Sequence, residues 1–143
     1  MAHFSAVDSA GAALDPWEIK IALFEEAETC RKRSLIHGAR NQPPLSTSFV
    51  PIQAGGPVSM AFYFHREEPV SLLMMRMHGC RSIIQFDAKP GLFYQARLAA
   101  SHLRCEVTLQ SAESPNMSGA VEVPFTIRRS TTPFNENSSF CER

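Results

Sequence analysis

The stretch that decides the fold is FDAKPGLFYQARL, residues 86–98, where an apolar run stops at Asp87-Ala88-Lys89-Pro90-Gly91 and resumes just before Tyr94. Pro90 presets φ for the first central position of a tight turn, and Gly91 supplies the positive φ that a type II turn needs at the second. Asp87 is placed to bond the local backbone. Beyond the turn, Leu92, Tyr94, Ala96 and Leu98 recur with period two, the mark of one face of a strand. The stretch is therefore a corner that leads into a strand.

Alternation of the same kind runs through much of the chain. In LRCEVTLQ, Leu103, Cys105, Val107 and Leu109 oppose Arg104, Glu106, Thr108 and Gln110. PVSMAFYFH puts Val58, Met60, Phe62 and Phe64 on one face, and WEIKIALF does so with Trp17, Ile19, Ile21 and Leu23. VEVPFTIRR reads as one strand with Val121, Val123, Phe125 and Ile127 aligned, and Pro124 marks it as an edge strand or a bulge. STSFVPI, VSLLMMRM and CRSIIQF are shorter apolar runs, separated by Gly-Gly, Arg-Glu-Glu-Pro and His-Gly punctuation. Helical periodicity is weak, with FEEAETCRKR the best candidate; QARLAASHLR is read as a continuing strand followed by a loop near residues 100–102.

These patterns predict an all-β protein, an antiparallel β-sandwich of about seven to eight strands. Residues 1–16 read as a flexible N-terminal segment and residues 17–143 as a single β-sandwich domain. The small-residue opening, residues 5–14, has the character of a mature N-terminus or an artificial junction, without the layout of a signal peptide.

Lysine plus arginine equals aspartate plus glutamate, 14 of each, so no bulk field draws in nucleic acid or an anionic surface. The dense basic cluster Arg31-Lys32-Arg33 reads as a solvated turn or strand edge. No run approaches the roughly 20 apolar residues of a membrane-spanning helix. The four cysteines, Cys30, Cys80, Cys105 and Cys141, lack the C-x-x-C spacing of a zinc or redox site, which favours disulfides and hence an oxidising compartment.

A tyrosine just after a Pro-Gly corner resembles the tyrosine corner of immunoglobulin-like sandwiches, with Pro90, Gly91 and Tyr94 as its parts. Together with Ala-Gly-Gly-Pro at residues 54–57, Cys80 leading an apolar strand and Cys105 inside the next alternating strand, the pattern resembles small bacterial envelope lipoproteins and periplasmic β-sandwich domains. It covers about residues 54–109. The resemblance implies a bacterial cell envelope setting, periplasmic or surface-exposed, an unidentified protein or envelope ligand as partner, and a lipid anchor in the native precursor. The lipidated cysteine and leader of such proteins are not present in this sequence.

Of the three connectivities open to four cysteines, Cys80 with Cys105 is favoured because the two flank the hairpin at Pro90-Gly91. That leaves Cys30 with Cys141. Cys30 with Cys80 and Cys105 with Cys141 stays open as the alternative.

LLMMRMHGC gathers thioether, imidazole and thiol groups, the soft ligands that suit Cu(I). Met75, Met77 and His78 are the candidate ligands, joined by His65 if the strands pair across Arg-Glu-Glu-Pro. In an extended strand Met75 and Met77 share one face and Met74 and His78 the other, so core filling is the plainer reading. No cofactor is implied. Neither a nucleophile elbow, a zincin motif nor a phosphate-cradling glycine loop occurs, and the five histidines are scattered. The chain thus reads as a non-enzymatic binding or accessory module, with a periplasmic copper protein and a loop-assembled hydrolase as alternatives. Residues 37–46 and 111–120 are the candidate binding loops. Two N-x-S triplets, at Asn116 and Asn137, sit in polar segments.

Overall fold

A computed structural model of the chain describes residues 1–8, 18–39, 48–100, 105–129 and 139–141. Its strands are β1 (Ala2–Asp8), β2 (Glu18–Glu26), β3 (Arg31–Ala39), β4 (Val50–Ile52), β5 (Gly56–Ser71), β6 (Met74–Ala88), β7 (Phe93–Ala100), β8 (Cys105–Ala112), β9 (Val121–Glu122) and β10 (Thr126–Arg128). They form two five-stranded sheets, ordered β4-β1-β7-β8-β9 and β10-β6-β5-β2-β3. The protein is all-β and sandwich-like. The described strands exceed the seven to eight expected, and the first sheet is mixed because β1 runs parallel to β7, from His3 opposite Phe93 to Asp8 opposite Leu98.

The alternating residues meet between the sheets. Phe4, Tyr94, Ala96, Leu98 and Leu109 of the first sheet pack against Ile19, Ile21, Met60, Phe62, Phe64, Ile84 and Phe86 of the second. Phe4 meets Phe62 with ring centroids 6.3 Å apart, and Phe86 meets Tyr94 at 5.1 Å. Side chains of these kinds each stabilise the fold by about 1.5–3 kcal/mol on full burial.

The corner takes the form expected from its residues. Gly91 has φ 81°, and the Leu92 N–H returns to the Lys89 carbonyl at 3.4 Å, closing the turn. Tyr94 is buried, and its hydroxyl accepts the Lys89 N–H at 2.8 Å. The corner also receives the chain's beginning: Gly91 N–H donates to the Met1 carbonyl and His3 N–H to the Leu92 carbonyl, each at 3.0 Å.

Several expectations are corrected. Within the supposedly flexible residues 1–16, Ala2–Asp8 is an interior strand with Ala2, Phe4 and Ala6 buried. Two alanines make a weak apolar signal, yet both belong to the core between the sheets; residues 9–16 lie outside the described residues. The helix candidate FEEAETCRKR is instead the end of β2, a turn over residues 27–30 and the start of β3, with Cys30 at φ 51° and Lys32 at φ 56°. VEVPFTIRR is split: β9 joins β8, β10 joins β6 in the other sheet, and Val123-Pro124-Phe125 carries the chain between sheets. Pro124 has no N–H to continue a ladder, while Val123 and Phe125 pack on the core and Val121 and Ile127 are exposed. Arg-Glu-Glu-Pro and His78-Gly79 are not turns either. Both lie inside one long hairpin, β5 with β6, whose turn is Leu72-Leu73.

Replacing Tyr94 with Phe removes the acceptor for the Lys89 N–H while keeping the ring. Urea denaturation should show a loss of about 1–2 kcal/mol with an unchanged m-value; an unchanged midpoint would mean the corner holds without that bond.

Candidate functional site

β5 is the central strand of its sheet and is buried on both faces. Met60, Phe62 and Phe64 face the other sheet, while Ser59 and Ala61, on the opposite face, are equally inaccessible. A second apolar cluster covers that outer face: Ala22, Phe24, Cys30, Ala61, Ile83, Phe140 and Cys141, with Tyr63 against it. The chain's end is thus folded over the sheet. Phe140 N–H donates to the Cys30 carbonyl at 3.0 Å, Ser139 Oγ donates to the Thr29 carbonyl, and Phe24 and Phe140 rings pack 5.5 Å apart.

The turn over residues 27–30 anchors this cover. The Ala27 carbonyl accepts Ser59 Oγ at 2.6 Å, and the Glu28 carbonyl accepts Arg128 Nη2 at 2.8 Å. Arg33 belongs here too, with its guanidinium 4.7 Å from the Phe140 ring centroid and bonded to the Tyr63 hydroxyl at 3.2 Å. The basic triplet therefore divides: Lys32 is exposed beside Glu26 and Glu25, at 3.4 and 4.0 Å, whereas Arg33 lies on aromatic rings. Among its causes, the Thr29 hydroxyl at 3.0 Å is the largest in holding the Glu26 carboxyl below its ordinary value of 4.5; burial opposes the shift and the Lys32 ammonium adds to it.

The disulfides are Cys30–Cys141 and Cys80–Cys105, with Cα atoms 5.6 and 6.4 Å apart. Their chemistry fits an oxidising, extracytoplasmic environment. Cys30–Cys141 ties the covering tail to the turn beneath it. Cys80–Cys105 joins β6 to β8 across the sandwich, since Cys80 stands opposite the inward Phe64 and Cys105 lies on the inward side of β8.

Toward its turn from Cys80, the hairpin runs on without a paired neighbour among the described residues. Among the described residues, β2 pairs with β5 only as far as Glu18 opposite His65, and β10 with β6 only at residues 83–85. Residues 66–71 and 74–78 continue as a two-stranded arm of about 20 Å, taking the usual strand rise. Its end is apolar and bare: Leu72 is 104% exposed, Leu73 96%, and Val70, Met74 and Met75 are each more than half exposed. The alternation rule missed this feature. It treats a run such as VSLLMMRM as core, and nothing in the local pattern says that the sheet ends before it.

Of the soft-metal candidates, His65 and Met75 stand apart. His65 stands opposite Gly79 and Met75 opposite Pro69, four residues along the strand and therefore about 13 Å apart. Met77 and His78 stand opposite Glu67 and Arg66. Among the described residues no group of three His, Cys, Asp or Glu is placed to hold a metal ion.

Three clefts, of about 480, 600 and 300 Å³, lie beside Leu23 and Lys32, beside Glu28 and Arg128, and beside Asp87 and Tyr94. None has a histidine among its described lining residues. In the loop after β8, Asn116 Oδ1 accepts the Ser118 N–H at 2.8 Å and Met117 N–H returns to the Ser114 carbonyl at 3.1 Å, a self-contained polar turn. Loop residues 40–46, the second triplet at Asn137 and His102 lie outside the described residues. No described helix is long and apolar enough to cross a membrane.

Removing each disulfide as an alanine pair should separate their roles. Cys30→Ala with Cys141→Ala is expected to cost about 5 kcal/mol, and Cys80→Ala with Cys105→Ala about 3.5, following the 111- and 25-residue separations. Chemical denaturation measures both, and a reversed order would refute the ranking. The lowered Glu26 carboxyl contributes stability that is present above its ordinary value of 4.5 and lost as pH falls through the lowered one. Glu26→Gln should therefore flatten the stability–pH curve in that acidic window, and an unchanged slope would remove Glu26 from the account.

No family model, curated protein or solved structure matches the chain.

Proposed function

We propose that the chain is a non-enzymatic docking module of an oxidising, extracytoplasmic compartment, and that the β5–β6 arm makes the contact. The observation that carries this reading is the pair Leu72 and Leu73, almost wholly in solvent at the end of a hairpin whose other end is the centre of a sheet. Contiguous apolar surface rimmed by polar residues marks interaction sites. A docking element also has to be held at a fixed angle, and Cys80–Cys105, next to the arm's root, supplies that hold.

The bacterial cell envelope, periplasmic or surface-exposed, is the setting that the sequence resemblance favours. Immunoglobulin-like kinship draws support from the bond between Lys89 N–H and the Tyr94 hydroxyl and from a disulfide that joins the two sheets. The loop at residues 113–120 ranks behind the arm, because its polar groups are engaged with one another.

Site-specific photo-crosslinking tests the assignment. A photoreactive phenylalanine analogue at position 72 should give adducts in the native compartment fraction, and the same analogue at position 116 should not. Adducts from position 116 alone would move docking to the loop; adducts from neither would end the reading.

A further inference from the structure

We infer that the target of the arm is the surface of a lipid bilayer, into which its end inserts. This inference rests on the docking reading above and specifies its partner. The argument turns on how apolar groups are distributed around the hairpin axis. Successive residues of a strand point to opposite faces, so Met74 and Met75 lie on opposite sides of the arm, and both are exposed. Leu72 and Leu73 occupy the turn itself, and Val70 adds a further exposed apolar side chain. The end is therefore apolar on both faces and at its tip, save for Ser71, whose hydroxyl accepts the Leu73 N–H at 3.4 Å.

A protein partner that adds a strand or offers a flat patch satisfies one face and leaves the other in water. A hydrocarbon phase satisfies all of them together. Polarity also changes along the axis: next after Met75 comes the exposed Arg76. That order, apolar end and then charge, follows the profile of a membrane interface. The apolar portion spans about three residues per strand, or about 10 Å, which matches the depth reached by interfacial segments. The end itself, residues 70–75, carries no charge, so insertion and not attraction to anionic headgroups drives the contact.

Flotation of the disulfide-bonded protein with phosphatidylcholine vesicles is the test. The wild-type chain should float, addition of phosphatidylglycerol should change little, and Leu72→Asp with Leu73→Asp should lower partitioning by about a hundredfold, the scale set by burying two leucines. The Asp pair lies in solvent, and its thermal unfolding should match the wild type. A Leu72→Trp variant should be quenched by brominated lipid well beyond a wild type whose single tryptophan is Trp17.

Wild-type protein that stays with the soluble fraction overturns the inference, as does a double variant that floats equally well. Sedimentation separates the two levels of the argument. If vesicles are not bound but the Asp pair abolishes a concentration-dependent dimer, the arm docks on a second copy and the lipid target falls alone. If the Asp pair alters neither and the analogue at position 72 gives no adducts in the native compartment fraction, docking by the arm falls as well.

Discussion

The central strand β5 must be covered on both of its faces, and most of the structure follows from that. Val58, Met60, Phe62 and Phe64 require the opposing sheet, while Ala61 and its neighbours Phe24 and Ile83 require something on the outside. The second cover is made from short pieces: the turn over residues 27–30, Arg33 and residues 139–141. Pieces this short bury little on their own, and the Cys30–Cys141 bond removes the entropy that would otherwise release the tail. Arg128 extends the same arrangement to the sheet's edge, bonding the Glu28 carbonyl and Gln85 Oε1 and so fixing β10 after its change of sheet.

The two disulfides divide their labour by direction. Cys30–Cys141 closes the outside of one sheet, whereas Cys80–Cys105 holds the two sheets together where the hairpin departs. The arm is thus a continuation of the best-buried strand pair and not a loop attached to it. Its apolar end stands about 20 Å from the last residues that share a three-stranded pairing, far enough for the body to remain in water while the end contacts something else.

The inner faces of β2, β5, β7 and β8 were legible in the sequence, because alternation there reports a single buried side. So was the corner at Pro90-Gly91-Tyr94. Cys80 does bond Cys105, but not across a hairpin as expected, because the corner carries the chain from one sheet to the other and the bond runs between β6 and β8. What escaped was non-local. β1 carries two alanines in place of large side chains, and only a distant strand makes them core. VEVPFTIRR alternates faultlessly, but alternation does not say which sheet each half joins. In the arm, apolar residues conform to strand chemistry, and their exposure depends on where the neighbouring strands stop. Arg33 resembled a solvated charge because the aromatic ring beneath it, Phe140, lies more than a hundred residues away in the chain.

The parallel pairing of β1 with β7 bears on the order in which the molecule assembles. During synthesis the β5–β6 hairpin has its two halves close together and forms from local contacts. Residues 2–8 precede both of their partners: residues 50–52 follow about fifty positions later on one side, and residues 93–98 about ninety on the other. Closing so large a separation is slow, and topologies dominated by such contacts fold on the millisecond-to-second scale. The strand that joins β4 to the rest of its sheet therefore gains its second neighbour only when β7 arrives, and that half of the sandwich closes late.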